Sequence, residues 1–161
     1  MRVTFEKIDE LSTSKVEFYS VKLGDCSLAE FQKFDNKEFP QHLEELQIAY
    51  KTIKEIGKRG ARSYFFKFES AAHALPIVSQ AIMDANKEDF GLRLYCIRLT
   101  DNVLVLLNGD IKTDINPINC KNVKEHFSNA NKIAKRLDKG LLDREINYQT
   151  IDCLINYEIE I

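Results

Sequence analysis

The sequence predicts an α+β fold in which a central antiparallel β-sheet carries two longer α-helices, with extra elements at both ends. Three observations lead there. Leu92–Leu99 and Val103–Leu107 are two runs of strand-forming residues separated by Thr100, Asp101 and Asn102. Asn and Asp tolerate the left-handed backbone that tight hairpins need, so the pair reads as a β-hairpin. Apolar residues recur at helical spacing over Gln41–Ile56 and again over Val123–Lys139. Helix, hairpin and helix follow in a segregated order, not the strict strand–helix alternation of a parallel sheet.

At the N-terminus, Val3–Ile8 and Lys15–Leu23 alternate as strands around a polar turn at 11–14. Ser27-Leu28-Ala29-Glu30 matches a capping box, with Cys26 and Phe31 placed as a hydrophobic staple, and predicts a short helix from Leu28 to Asp35. In the first long helix Leu43, Leu46, Ala49, Tyr50, Ile53 and Ile56 form one face, and Gly57 is placed to end it. A strand is expected over Ser63–Phe68. Residues 69–90 carry the weakest pattern, with Val78, Ile82 and Ala85 able to share a helical face after Pro76.

The hairpin is followed by Asn108-Gly109, a second turn or a bulge, and by Ile111–Thr113 as a short continuation. Asn122 is placed to cap the second long helix, with Glu125 at its third position. Val123, Phe127, Ala130, Ala134 and Leu137 form its buried stripe, and Gly140 ends it. In the tail, Tyr157–Ile161 alternates as a strand and is expected to add a strand or a homodimer contact. One domain spans 1–161: a hairpin and short helix over 1–40, a core over about 41–139, and a C-terminal extension over 141–161.

Composition narrows the class. Hydrophobic residues make up 44% and charged residues 30%, which is a globular balance and not a disordered one. No apolar run approaches the ~20 residues of a bilayer span, and no leader-like apolar stretch opens the chain, so a cytoplasmic protein without a membrane partner is expected. Cys26, Cys96, Cys120 and Cys153 are scattered, and His42, His73 and His126 lie far apart. That spacing suggests neither a zinc site nor a catalytic triad, and no cofactor is expected. The formal charge is −2, yet residues 51–140 carry a balance of +6 between ends of −4 each. A basic middle of this kind can present a local positive face to phosphates.

Basic and phenolic side chains inside the hairpin are the unusual feature. Arg93 and Tyr95 are expected on one face of their strand, with Lys112 at the end of the next; Arg98 faces the other way, paired with Asp101 or Asp110. Lys58, Arg59 and Arg62 form a basic cluster after the first long helix.

The run Leu92-Arg-Leu-Tyr-Cys-Ile-Arg-Leu, the turn, Val103-Leu-Val-Leu-Leu-Asn-Gly-Asp-Ile-Lys-Thr and the helix around Ala130 and Ala134 together resemble the RelE/ParE superfamily of toxin–antitoxin toxins. The likeness is to its HigB or phage-derived branch and covers roughly Gln41 to Lys139. It implies a toxin of a type II module, held by a cognate antitoxin protein and acting as a metal-independent endoribonuclease on messenger RNA at the ribosome. Arg93, Tyr95 and Lys112 would then be catalytic, and Lys58, Arg59 and Arg62 would hold the RNA backbone. The alternatives are a gyrase poison of the ParE type and a non-catalytic protein-interaction module. The chain departs from the family pattern in its acidic ends and its net charge of −2.

Overall fold

In the computed structural model, which describes residues 1–77, 83–86 and 90–161, the chain forms one seven-stranded mixed sheet with helices on both faces. Its elements are β1 (Arg2–Lys7), β2 (Glu17–Leu23), α1 (Glu30–Asp35), α2 (Leu43–Arg59), β3 (Lys67–Glu69), β4 (Ala72–Ala74), β5 (Gly91–Thr100), β6 (Val103–Lys112), α3 (Lys124–Leu142) and β7 (Glu158–Glu160). The sheet order is β3-β4-β5-β6-β2-β1-β7. The α+β class holds and both long helices pack on the sheet.

The sheet is not wholly antiparallel, as the sequence had suggested. β2 lies parallel to β6 over Glu17–Tyr19 against Val103–Val105, so the N-terminal hairpin is an integral half of the sheet and no appendage. The physical cause is burial. Phe18 and Tyr19 are fully buried on opposite faces, which requires a strand covered on both sides.

Two apolar layers sandwich this sheet. On one face Phe18, Leu92, Leu94, Cys96, Leu104 and Leu106 meet α1 and α2 through Phe31, Phe34, Ala49, Ile53 and Ile56. On the other, Tyr19, Tyr95, Ile97, Val105 and Leu107 meet α3 through Ala130, Ile133, Ala134 and Leu137. Alternation along β5 and β6 feeds both layers, because successive strand side chains point to opposite faces.

Several local expectations are corrected. Gly57 does not end α2. It lies inside the helix, where a Cβ would come within 3.2 Å of the Thr13 methyl, and its carbonyl accepts the Thr13 hydroxyl at 2.6 Å. The helix stops at Gly60, whose φ of 97° suits glycine. Ser27 does not cap α1; the helix begins after Ala29, whose amide donates to Gln32 Oε1 at 2.9 Å. Asn122 does not cap α3 either, its side-chain amide donating instead to Ile111 O at 3.1 Å. Gly140 is interior to α3. Ser63–Phe65 forms a 3-10 turn, and the strand begins only at Lys67. The helical face of Val78, Ile82 and Ala85 falls mainly outside the described residues.

Other expectations hold. β5 and β6 form the hairpin with a register shift between Leu94 and Cys96, where Leu107 and Asn108 both face Tyr95. The tail supplies β7, an edge strand antiparallel to β1, with Ile159 buried. Among the described residues no helix is long and apolar enough to cross a membrane.

Candidate functional site

Four polar regions stand out. The first holds the three residues expected to be catalytic. Arg93 pairs across the ladder with Asp110, and Lys112 pairs with Gly91 two positions earlier, so the Arg93 and Lys112 side chains stand on one face. Tyr95 shares that face, in the layer under α3, with its ring edge-on to Phe127 at 6.1 Å. All three are buried: Arg93 is 1%, Tyr95 0% and Lys112 4% exposed. The three therefore share a face, but one that is covered and not open to solvent.

Glu69 and Cys120 close around the same place. The Tyr95 hydroxyl and Glu69 Oε1 are buried and, among the described residues, without a hydrogen-bond partner. Burial raises the Tyr95 hydroxyl above its ordinary range, the Glu69 charge adds to that, and Arg93 acts the other way. Cys120 sits just before α3, with Thr113 N–H and the Thr113 hydroxyl each 3.4 Å from its sulfur. Burial raises its thiol, but these contacts and the amides of Val123 and Asn122 outweigh that and leave it lowered.

The second region is the basic cluster, at the opposite end of the hairpin. Arg62 Nη1 donates to Asp101 Oδ2 at 2.8 Å in the β5–β6 turn, while Lys58 and Arg59 reach Glu55 at 3.8 and 3.1 Å. Asp101 lies eight residues along the chain from Arg93, about 26 Å at the rise of a strand. The two sets named from sequence therefore do not form one site. What the cluster does join is aromatic. The chain runs from α2 through the 3-10 turn onto β3, a sheet edge, and exposes Tyr64 at 67% and Phe68 at 76%, two to ten residues along the chain from Lys58, Arg59 and Arg62. The Phe68 ring packs on His73 at 4.9 Å and leaves most of its surface in solvent. The sequence placed both aromatics in one strand over Ser63–Phe68; Tyr64 instead falls in the 3-10 turn, and Phe68 on the edge strand β3.

The third region lies where α2 begins. His42 Nδ1 is 2.5 Å from Glu45 Oε2, and the other Glu45 oxygen accepts the Leu92 amide at 2.9 Å. His42 also lines a groove with Phe90, Gly91, Ile111, Lys112 and Thr113. Distance in sequence hid this pairing with β5, although the His-x-x-Glu spacing at a helix start was a readable signal.

A further polar cluster ties α1 to the sheet. Lys37 donates to Gly109 O at 2.7 Å, Asn108 Oδ1 at 3.1 Å and Asp110 Oδ2 at 3.3 Å, and lies 3.3 Å from His126 Nε2. Glu30, nearly buried, accepts from Asn108 Nδ2 at 3.0 Å and Lys33 at 2.6 Å. Burial lowers His126 below its ordinary value, and the Lys37 charge adds to that against Glu30, Asp110 and Glu125.

No protein-family model matches the chain, and neither a curated protein nor a solved structure matches it. The fold and these regions define an α+β domain with a basic helix end followed by exposed aromatics.

Proposed function

We propose that this chain is a toxin of the RelE/ParE type that acts on RNA, with the edge from Lys58 to Phe68 as its RNA contact. The observation that carries the reading is the exposure of Tyr64 and Phe68 on the short stretch of chain that follows Lys58, Arg59 and Arg62. Cations hold the phosphate backbone, and each exposed ring offers a face on which an unpaired base stacks for about 1–3 kcal/mol. The ion pairs of Arg62 with Asp101 and of Lys58 and Arg59 with Glu55 are surface pairs worth ~1 kcal/mol or less, so phosphates exchange for them at little cost. A small footprint fits a protein to which the ribosome presents messenger RNA, and a cognate antitoxin would cover the same edge.

Burial of Arg93, Tyr95 and Lys112 favours a second reading, in which the domain acts by binding alone, as an interaction module or gyrase poison. Fluorescence anisotropy with a labelled single-stranded RNA, together with growth after induction in a bacterial host, separates the two. The RNA reading expects binding that weakens about tenfold or more in Tyr64→Ala/Phe68→Ala, a steep loss with salt, and relief of growth inhibition in the same variant. Growth inhibition without RNA binding sinks it and leaves the binding module.

A further inference from the structure

Among the described residues two strands end the sheet, β3 and β7, and they treat a second copy of the chain in opposite ways. In β7, Glu158 and Glu160 flank Ile159, so antiparallel pairing with its own copy sets glutamate opposite glutamate. In β3, Lys67 and Glu69 flank Phe68, and the same pairing sets each lysine opposite a glutamate. The backbone fixes that register. Leu75 donates to Leu94 O at 3.2 Å and His73 lies opposite Cys96, so these alternate residues turn their backbone groups to β5. Ala74, between them, turns to Lys67 on β3. Phe68, the next residue along β3, therefore points its N–H and C=O away from β4, out of the sheet edge. Its ring rests against His73 at 4.9 Å and is 76% exposed. The turn behind this edge is pinned, because Asn131 of α3 accepts the Ala71 and Ala72 amides at 2.7 and 2.9 Å.

We propose that two copies of this chain join through β3, antiparallel about a two-fold axis at Phe68, into one continuous sheet. The Phe68 N–H of each copy donates to the Phe68 carbonyl of the other. Lys67 and Glu69 stand on the face under α3, because their register partners Ala74 and Ala72 belong to that layer. Lys67 is exposed, whereas Glu69 is buried, with Oε1 lacking a hydrogen-bond partner among the described residues. A carboxylate in that state gains from a cation brought to its edge, and the partner's Lys67 stands directly across from it. The interface is isologous and closes at two copies. A three-residue strand covers less than the roughly 1,200 Å² of standard interfaces, so the dimer is weak and forms with rising concentration. This pairing rests on the strand's own backbone and charges and not on the RNA reading, although it covers the ring that reading uses; single-stranded RNA and a second copy would compete for Phe68.

Sedimentation of the full chain at rising concentration, without RNA, should move from the mass of one chain toward that of two. Lys67→Glu sets like charges opposite each other twice and should weaken association at least about tenfold. Lys67→Glu mixed with Glu69→Lys should associate where neither does alone, since only the mixture restores both pairs. Because Glu69 is buried and its substitution can cost the fold, disulfide trapping reads the register independently, in a Cys26→Ser background that removes the exposed thiol. Phe68→Cys should cross-link under mild oxidation, its α-carbons about 5.5 Å from their mates, whereas Lys67→Cys stands two residues out of register with its own copy and should not. A wild-type chain that stays monomeric at high concentration overturns the proposal. So does a dimer indifferent to Lys67→Glu, or one trapped through Lys67→Cys in place of Phe68→Cys. Single-stranded RNA bound by a chain that never associates removes the dimer and leaves the RNA reading; association through β3 without RNA binding does the reverse.

Discussion

Gly109 of β6 lies so close to Arg93 of β5 that a Cβ there would overlap the Arg93 carbonyl oxygen. The contact sits at the register shift of the central hairpin, where β6 carries one more residue than β5. Backbone cannot give way as a flexible side chain can, so Gly109→Ala should separate the two strands that feed both apolar layers. A loss of at least about 3 kcal/mol, or failure to fold, is expected from chemical denaturation. Near-wild-type stability would show that the bulge relaxes freely.

Arg93 and Arg98 differ in what truncation costs. Arg98 donates to Ala61 O at 2.6 Å and to Asp101 Oδ1 at 2.5 Å, tying the chain after α2 to the hairpin turn. Arg98→Ala should cost about 1–3 kcal/mol, as for other hydrogen bonds from a charged donor. Arg93→Ala should cost more, about 3 kcal/mol or above, because a buried cation leaves buried partners behind. Thermal melts of both variants decide the order, and a harmless Arg93→Ala would contradict the burial.

Acidification should weaken the fold in a defined window. His126 and His73 are both lowered in the native state, chiefly by burial, with Lys37 and Arg98 respectively adding to it. The unfolded chain therefore binds protons first, near the ordinary histidine value of about 6.5, and stability rises with pH through that region. The contribution is present in full above about pH 6.5 and is lost as pH falls through the lowered native values. Melting temperature should drop between pH 7 and pH 5, and His126→Gln should flatten part of that drop. A flat wild-type profile over this range would count against the buried environment of both rings.

The tail should behave as a strand of the sheet. Ile159 is buried, the Tyr157 hydroxyl donates to Glu145 at 2.7 Å beside Gly140, and the terminal ammonium of Met1 donates to Ile161 O at 2.7 Å. Deleting Tyr157–Ile161 should remove about 2 kcal/mol for the isoleucine alone and more with the edge pairing. An unchanged melting temperature would show that β7 adds nothing to the stability of β1. Replacing Gly140 with Ala should act in the same direction, by pushing the Tyr157 ring away.

Local chemistry in the sequence was enough for the hairpin, both long helices, most of their buried stripes (Leu43 of the first is exposed) and the terminal strand, because each follows from periodicity that neighbouring residues carry themselves. It also offered Asp101, three residues on, or Asp110 as the partner of Arg98, and the structure selects Asp101. It did not reach the parallel pairing of β2 with β6, since no local signal joins residues some 86 positions apart; only the shared burial of Phe18 and Tyr19 on two faces decides it. Gly57 and Gly140 looked like helix ends because glycine ends helices, yet both are interior where Thr13 and Tyr157 come close from distant parts of the chain. The candidate site followed the same rule. Arg93, Tyr95 and Lys112 were recognisable as unusual strand residues, but whether they lie open or covered depends on α3, which packs over their face. Exposure of Phe68 depends on β3 being an edge, and the bond from Glu45 to Leu92 depends on α2 crossing the sheet at β5. Residue types are a property of the sequence; which of them meet, and which meet water, is settled only when distant segments pack.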